Sequence, residues 1–202
     1  MLEIFLIRHG QTDWNRERRI MGDKPIALNS TGKAQVKALA EFLRHFPIDH
    51  FYTSPLRRTL ETAEILNEGR ALSLVQKKEL REVECGQWVG KTFYEVSLLP
   101  GYVDYYEFPN QPVGVTGESL KQLRERSVHF VEELRSKHRK GKIVLVSHAD
   151  WIKCLLMHYL KMPLQQLHQL RIDNASLSHL VFEDGKERVI SINQNIHLAK
   201  IV

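Results

Sequence analysis

The chain has 202 residues, of which 43% are hydrophobic and 26% are charged, and its net charge at pH 7 is +5. This is an ordinary globular composition, and we expect residues 1–202 to form a single domain. The apolar runs are too short to span a membrane and the basic residues are scattered, so we predict neither a membrane nor a nucleic-acid partner. The two cysteines, Cys85 and Cys154, lie in different contexts, which favours a reducing cytoplasm.

The first predicted element is a strand over residues 3–7, a continuous apolar run. Such a run is typical of a strand buried on both faces of a parallel sheet. It ends at Arg8-His9-Gly10, which places two basic side chains at the rim of the sheet, where open α/β sheets bind ligands. Histidine can act as a nucleophile and arginine can bind phosphate oxygens, so the pair is a candidate phosphate site. For the tripeptide alone, a chance pair of exposed basic residues is an equally good interpretation.

The next stretch is predicted to form a short helix, a longer helix and a strand. Asp13 is the expected cap of the short helix. The longer helix begins near Ser30 or Thr31, either of which could cap it, and Pro47 ends it. A short aromatic strand over 49–53 follows.

A second candidate feature comes directly after that strand. Ser54 is a good N-cap and Pro55 a good first residue of a helix whose first turn carries Arg57 and Arg58. A helix N-terminus is a natural anion site, whereas basic side chains there oppose the helix dipole. Residues that break a local rule are often functional, although an ordinary solvated pair of arginines is the simpler alternative.

The second half of the chain repeats the opening pattern. A buried strand beginning at Lys142 ends abruptly at His148, and a helix follows from Asp150. Two strands of this type, each ending in a histidine, are harder to attribute to chance than one. The other predicted elements are strands over 72–75, 175–182 and 189–193, a helix from about 119 to 139, and an irregular insertion, interpreted as a lid, at about 98–117.

Five groups of motifs follow one another along nearly the whole chain: Arg8-His9-Gly10 with Trp14-Asn15, Ser54 to Thr59 with Thr62-Ala63, Leu80-Arg81-Glu82 with Trp88-Val89-Gly90, Gly117-Glu118-Ser119, and Ser147-His148. Together they resemble the histidine phosphatase superfamily, in its phosphoglycerate-mutase-like branch. The chain is most similar in appearance to small cofactor-independent members such as the metal-independent phosphoserine phosphatases. We therefore expect an α/β fold, a three-layer sandwich with a mainly parallel central sheet and helices on both faces.

The resemblance implies a role for each matching residue. His9 would be the nucleophile that becomes phosphorylated, and Glu82 would be the proton donor. Arg8, Arg58 and His148 would hold the phosphoryl group, with no metal ion and no other cofactor. Four further residues are candidates for binding phosphate or substrate: Asn15, Arg81, Gln11 and His197.

Three positions depart from the family pattern. Gln11 stands where an acidic residue is common, and Ala149-Asp150 stand where paired glycines are common. Cys85 occupies a position where some members carry a histidine that, in phosphoserine phosphatases of this superfamily, recognises the substrate with another histidine near the C-terminus. His197 matches the second of these, and we expect Arg81 and His197 to bind a substrate carboxylate.

These observations predict a phosphomonoesterase that hydrolyses small soluble phosphate monoesters through a phosphohistidine, with phosphoserine as the first substrate to test. A phosphoglycerate mutase is the first alternative, although the chain is short for one. A non-catalytic module that binds a phosphorylated ligand is the second. A homodimer is left open as the assembly.

Overall fold

The computed structural model describes residues 1–100, 102 and 104–199, and the elements below are those of these residues. The strands are β1 (Leu2–Arg8), β2 (His50–Thr53), β3 (Leu74–Gln76), β4 (Gly141–Ser147), β5 (Leu177–Glu183) and β6 (Lys186–Gln194). The α-helices are α1 (Asp13–Arg16), α2 (Ser30–Phe42), α3 (Arg57–Asn67), α4 (Phe93–Ser97), α5 (Leu120–Lys137) and α6 (Ala149–Tyr159). Residues 101 and 103 of the predicted insertion lie outside the described residues.

The strands form one six-stranded sheet in the order β3-β2-β4-β1-β5-β6. The ladders β2–β3, β2–β4 and β1–β4 are parallel, whereas β1–β5 and β5–β6 are antiparallel. The sheet is therefore mixed but mainly parallel, as predicted.

Helices cover both faces of this sheet because the side chains of a strand alternate between its faces. On β1, Ile4 and Leu6 belong to the apolar cluster that includes residues of α5 and α6. Phe5 and Ile7 belong to the cluster that includes residues of α2 and α3. The central strand is thus buried from two sides, which confirms the expected three layers.

The first two helices are capped one residue earlier than predicted. Thr12, not Asp13, caps α1: its hydroxyl accepts from the backbone N–H of Asn15 at 3.1 Å. Asn29, rather than Ser30 or Thr31, caps α2, because its side chain oxygen accepts from the N–H of residue 32 at 2.8 Å. Asn, Ser, Thr and Asp are all good caps, so propensity alone could not choose between neighbours.

Helix α3 begins at Arg57, not at Pro55, and the predicted cap at Ser54 is wrong. The N-cap position is Leu56, which has no side-chain cap. The Ser54 hydroxyl instead contacts the Nε2 atom of His148 at 2.9 Å, 94 residues away in sequence. Helix α6 also begins one residue earlier than predicted, since His148 is its N-cap and Ala149 its first residue.

The last hairpin is longer than the sequence pattern suggested. Asp184 and Gly185 both have positive φ, 51° and 74°, which makes a tight turn that matches the twist of a hairpin. Pairing therefore continues to Glu183 and Lys186, and β6 begins before the predicted residue 189.

The described part of the 98–117 segment contains turns, bends and an isolated bridge from Pro112 to Ser119. Tyr105 anchors it: the side chain is buried and packs edge-on against Trp88, with ring centroids 5.9 Å apart. No helix of the described residues is long and apolar enough to cross a membrane.

Candidate active site

The candidate site lies where neighbouring parallel strands end. Arg8 is opposite Ser147 in the register of β1 and β4, so the residues that follow, His9 and His148, lie side by side. Their ring centroids are 5.3 Å apart. Arg58, in the first turn of the helix after β2, joins them, because β2 is the other neighbour of β4. The sheet thus brings together the two histidine strand ends that the sequence analysis singled out.

His9 is buried, and its tautomer is set by the main chain. Its Nδ1 atom lies 2.8 Å from the carbonyl oxygen of Gly10. A carbonyl only accepts, so Nδ1 carries the proton and Nε2 has a free lone pair. Burial, and then the charges of Arg58 and Arg8, hold the pKa of His9 well below its usual value. The imidazole is therefore neutral and nucleophilic at neutral pH.

Two arginines supply positive charge beside it. The Arg58 guanidinium is 1% exposed and donates to the carbonyl oxygens of Gly22 at 2.9 Å and Lys24 at 3.3 Å. Burial lowers its pKa to about 10, so it stays charged at neutral pH. Arg8 donates from Nη1 to the carbonyl oxygen of Ile172 at 2.7 Å, and its buried Nε has no hydrogen-bond partner among the described residues. Such a donor can bind an anionic oxygen.

His148 is completely buried behind Arg58. Arg58 Nε donates to its Nδ1 atom across 3.3 Å, so the proton of His148 is on Nε2, which donates to the Ser54 hydroxyl. Burial and then the Arg58 charge hold its pKa well below the usual value, so the ring is neutral. It orients Arg58 rather than adding charge.

Glu82 follows the 3₁₀ segment Lys78–Leu80, and its carboxyl group accepts hydrogen bonds from backbone N–H groups in the first turn of α6. Oε1 accepts from the N–H groups of Val83 at 3.0 Å and Trp151 at 3.2 Å, and Oε2 accepts from that of Asp150 at 3.3 Å. Burial and then the charge of Asp150 raise its pKa to about 7, against the lowering effects of the N–H donors and Arg58. A carboxyl group of this pKa can donate and accept a proton near neutral pH.

Two supporting residues were missed by sequence reasoning. Asn174 donates from Nδ2 to the carbonyl oxygen of His9 at 3.0 Å and to Oδ1 of Asn15 at 3.2 Å. The Thr62 hydroxyl accepts from the N–H of Gly10 at 3.1 Å. Thr62 belongs to one of the motifs that carry the family resemblance, but nothing in that motif showed which strand end its side chain would contact.

These groups open onto a cavity of about 510 Å³. Of the five predicted catalytic residues, four line it, and His148 is buried beside them. Asn15 also lines the cavity. The rest of its wall includes side chains from the 3₁₀ segment Gly86–Trp88, the insertion, α6 and the segment after α6, namely Trp88, Tyr105, Tyr106, Asp150, Lys153, His168 and Arg171.

Three predicted substrate-binding residues are not part of this wall. Gln11 accepts from the cap residue of α2. Arg81 borders an adjoining cavity of about 270 Å³ and lies 3.6 Å from the Glu84 carboxylate. Its backbone is extended, so its side chain and that of Glu82 point in different directions. His197 Nε2 donates to the carbonyl oxygen of Ala175 at 2.9 Å. The expected carboxylate site made of Arg81 and His197 is therefore not formed.

Two of the departures from the family pattern do reach the cavity. Cys85 and Asp150 both line it. Burial raises the pKa of the Cys85 thiol, so it is neutral and acts as a small apolar group. Asp150 places a carboxylate in a cavity that is otherwise suited to anions. In the part of the chain that the structure describes, no group of three or more His, Cys, Asp or Glu side chains is arranged to hold a metal ion.

The fold and the site define a class of α/β protein in which two histidines and two arginines meet at the carboxyl edge of the sheet. The model of one family, the histidine phosphatase superfamily (branch 1), matches residues 4–195. The chain belongs to this superfamily.

Related proteins agree with this assignment. The chain is 30% identical over 202 residues to phosphoserine phosphatase 1 of Hydrogenobacter thermophilus, covering 99% of this chain and 96% of that protein. It is 32% identical over 192 residues to a probable phosphoglycerate mutase, GpmB, of Yersinia enterocolitica, covering 92% and 87% of the two chains. Its structure is similar to that of a mutant phosphoserine phosphatase from Entamoeba histolytica in complex with phosphoserine, with a TM-score of 0.87, 29% identity, and coverage of 98% and 100%.

These findings confirm the family, the fold class and the kind of enzyme that the sequence predicted, a histidine-type phosphatase.

Proposed function

We propose that this protein hydrolyses small phosphate monoesters in two steps through a phosphohistidine at His9. In the first step His9 Nε2 attacks phosphorus, the ester P–O bond breaks, and the leaving oxygen takes the proton of the Glu82 carboxyl group. In the second step the Glu82 carboxylate accepts a proton from water, whose oxygen attacks phosphorus. The P–N bond breaks, inorganic phosphate leaves, and both residues return to their starting forms.

The observation that carries this proposal is that one cavity holds both an unprotonated nitrogen, Nε2 of His9, and a carboxyl group, that of Glu82, which can keep its proton near pH 7. The carbonyl of Gly10 keeps the proton of His9 on Nδ1, and burial keeps the ring neutral, so Nε2 is ready to attack. The same burial keeps Glu82 able to hold a proton near pH 7. Arg8 and Arg58 supply positive charge for the phosphoryl oxygens, with Arg58 oriented by His148.

The test is to trap the intermediate. The enzyme is mixed with a ³²P-labelled monoester, quenched in alkali, digested and mapped. We expect one labelled peptide, containing His9, whose label is stable in alkali and lost in acid. His9→Ala should lose both label and turnover, whereas His129→Ala, at an exposed histidine of α5, should keep both. Label on Ser or Asp, or full turnover by His9→Ala, would refute the mechanism.

Phosphoserine is the substrate that we propose first. A relative that aligns along almost the whole chain and a structural neighbour both carry the name phosphoserine phosphatase, and the neighbour binds phosphoserine. The cavity has the size of a small-molecule site, which suits a metabolite rather than a phosphorylated protein.

A phosphoglycerate mutase is the second candidate, supported by the relative named as a probable enzyme of that kind. Both reactions begin by forming the same phosphohistidine and differ in the acceptor, which is water in one and the bound product in the other. A coupled assay of 2- and 3-phosphoglycerate interconversion, run beside phosphate release, separates them. Fast interconversion with little phosphate would favour the mutase.

We also propose a cytoplasmic location, supported by two free, buried cysteines, Cys85 and Cys154. The homodimer is likewise a proposal, and light scattering coupled to size exclusion measures it.

A further inference from the structure

The wall of the cavity carries a charge pair that the chemistry described above does not use. Asp150 and Lys153 lie one turn apart on α6, and both line the cavity. Lys153 Nζ is 3.5 Å from Asp150 Oδ1, and the side chains of Lys153 and Asp150 are only 13% and 15% exposed. At this exposure the pair is shielded from solvent far more than an ordinary surface ion pair.

Tyrosines from the insertion hold the Asp150 side chain in place. Tyr105 Oη lies 3.3 Å from Asp150 Oδ2 and 2.7 Å from the hydroxyl of Tyr106. A carboxylate only accepts, so Tyr105 donates to Asp150 and Tyr106 donates to Tyr105. This chain of hydrogen bonds holds the carboxylate by Oδ2, whereas Lys153 pairs with Oδ1.

Apart from Arg8 and Arg58, the arginines of the cavity wall already have hydrogen-bond or ion-pair partners. Arg171 is largely exposed and paired with Asp173 at 2.7 Å. Arg19 donates to the carbonyl oxygen of Gly90 and lies 3.3 Å from the carboxylate of Glu17. The Arg171–Asp173 pair also borders the cavity, but Arg171 is 82% exposed, whereas Lys153 is 13% exposed. Lys153–Asp150 is therefore the pair of the cavity wall in which both side chains are shielded from solvent.

The separation of 3.5 Å leaves both members of the pair able to bind more. A lysine ammonium has three donors, and a carboxylate has about four acceptor positions. A ligand with both an ammonium and a carboxylate group can lie against the pair with opposite charges adjacent, so that each of the four charges has a neighbour of opposite sign.

We propose that Asp150 and Lys153 determine specificity by binding the ammonium and the carboxylate of a substrate that carries both groups beside its phosphate ester. The substrate class is thus a zwitterionic phosphomonoester, an amino-acid phosphate. This inference rests on the proposed phosphatase function. Lys153 takes the carboxylate-binding role that the sequence analysis gave to Arg81 and His197, which lie outside the cavity wall.

The test compares kcat/KM ratios for three esters: phosphoserine with both groups, phosphoethanolamine with the ammonium alone, and 3-phosphoglycerate with the carboxylate alone. Wild type should prefer phosphoserine to both. In Lys153→Met the ratio of phosphoserine to phosphoethanolamine should fall by about tenfold or more, while its ratio to 3-phosphoglycerate changes little. In Asp150→Asn the ratio of phosphoserine to 3-phosphoglycerate should fall instead, while the ratio to phosphoethanolamine changes little, because that variant loses the partner of the ammonium group.

Ratios remove any effect that acts on all substrates alike, such as a general loss of packing or a change at Glu82. Lys140→Met is the matched control, because Lys140 is exposed just before β4, at the opposite edge of the sheet. Lys153→Arg and Asp150→Glu keep the charges and should keep the preference largely intact.

Two results would overturn the inference. Equal losses on all three esters in both variants would make the pair merely structural, provided that wild type releases phosphate. No phosphate release by wild type from any ester, p-nitrophenyl phosphate included, would overturn the proposed function, and the inference with it.

Discussion

The backbone N–H of Asp150 donates to Oε2 of Glu82 across 3.3 Å, so the proposed acid is held by the same helix turn that carries a second carboxylate. The N–H donor favours the ionised form of Glu82, whereas the Asp150 carboxylate opposes it. Together with burial, this balance leaves the pKa of Glu82 at about 7.

The first prediction concerns pH. kcat/KM for an alkyl phosphate should fall as the pH rises through about 7, because the acid form of Glu82 is then lost. In Asp150→Asn the fall should begin at lower pH, since the charge that raises the pKa of Glu82 is gone. The profile of Glu82→Gln is the control, because ionisation of the ester is common to all three proteins. The same fall in Glu82→Gln would assign it to another group.

The second prediction concerns the leaving group. Glu82→Gln should slow hydrolysis of an alkyl phosphate by about 100-fold or more, and that of p-nitrophenyl phosphate much less, because a good leaving group needs little protonation. Rates of phosphate release from the two esters measure the difference. Equal losses would remove Glu82 from the role of acid.

The third prediction concerns Arg126, which supports the Glu82 segment from α5. Its guanidinium donates to the carbonyl oxygens of Glu79 at 2.7 Å and Arg81 at 3.0 Å, and to both carboxylate oxygens of Glu118. Arg126→Met removes these hydrogen bonds, and of the two carbonyl oxygens the one of Glu79 keeps another donor, Trp151 Nε1 at 2.7 Å. We expect the free energy of unfolding to fall by roughly 2–3 kcal/mol.

Urea unfolding measures that loss, and Arg139→Met, at an exposed arginine just after α5, is the control. Because the Glu82 segment is loosened, Arg126→Met should also lose more activity on alkyl than on aryl phosphates. A purely structural role would lower both activities by the same factor.

The fourth prediction concerns metal ions. The buried guanidinium groups of Arg8 and Arg58 supply the positive charge that phosphoryl transfer needs. Activity should therefore survive exhaustive chelation without change. Loss of activity in EDTA, with recovery on adding Mg²⁺ or Zn²⁺, would contradict this interpretation of the site.

The fifth prediction concerns Gly10, whose carbonyl sets the tautomer of His9. A Cβ atom at this position would lie 2.7 Å from the carbonyl oxygen of Gly32 and 2.8 Å from Cγ2 of Val36. Because one of these atoms is backbone, Gly10→Ala should cost about 1–3 kcal/mol of stability. It should also lower kcat by displacing His9. Thermal unfolding tests the loss of stability and steady-state rates test the loss of kcat. Wild-type values of both quantities would show that α2 can shift to accommodate the methyl group.

The parts of this protein that sequence predicts best are its buried strands. β1 and β4 are continuous apolar runs, and each ends at a histidine, so the pattern alone places His9 and His148 at one edge of a parallel sheet. Glu82 required the family resemblance, because it lies in neither a strand nor an α-helix.

What the sequence could not predict depends on distant contacts. Ser54 looked like a helix cap, yet its hydroxyl is bonded to a histidine 94 residues away. Arg81 and Glu82 are adjacent in sequence and both border the adjoining cavity, but only Glu82 also lines the larger one. Lys153 lies on a predicted helix and Tyr105 in the irregular insertion, but neither belongs to a motif, so their place in the site is recognisable only once the cavity is formed.

The way His9 is held also bears on how such an enzyme can diversify. The acceptor that sets its tautomer is a main-chain carbonyl, which every amino acid at position 10 would carry, so side-chain substitution does not delete it. The cavity wall beyond the proposed catalytic groups includes side chains of an irregular insertion and of one helix, namely Tyr105, Tyr106, Asp150 and Lys153. Selection for a new substrate can therefore exchange the second set while the first stays intact, and libraries limited to those four positions should yield altered preferences without loss of the phosphohistidine.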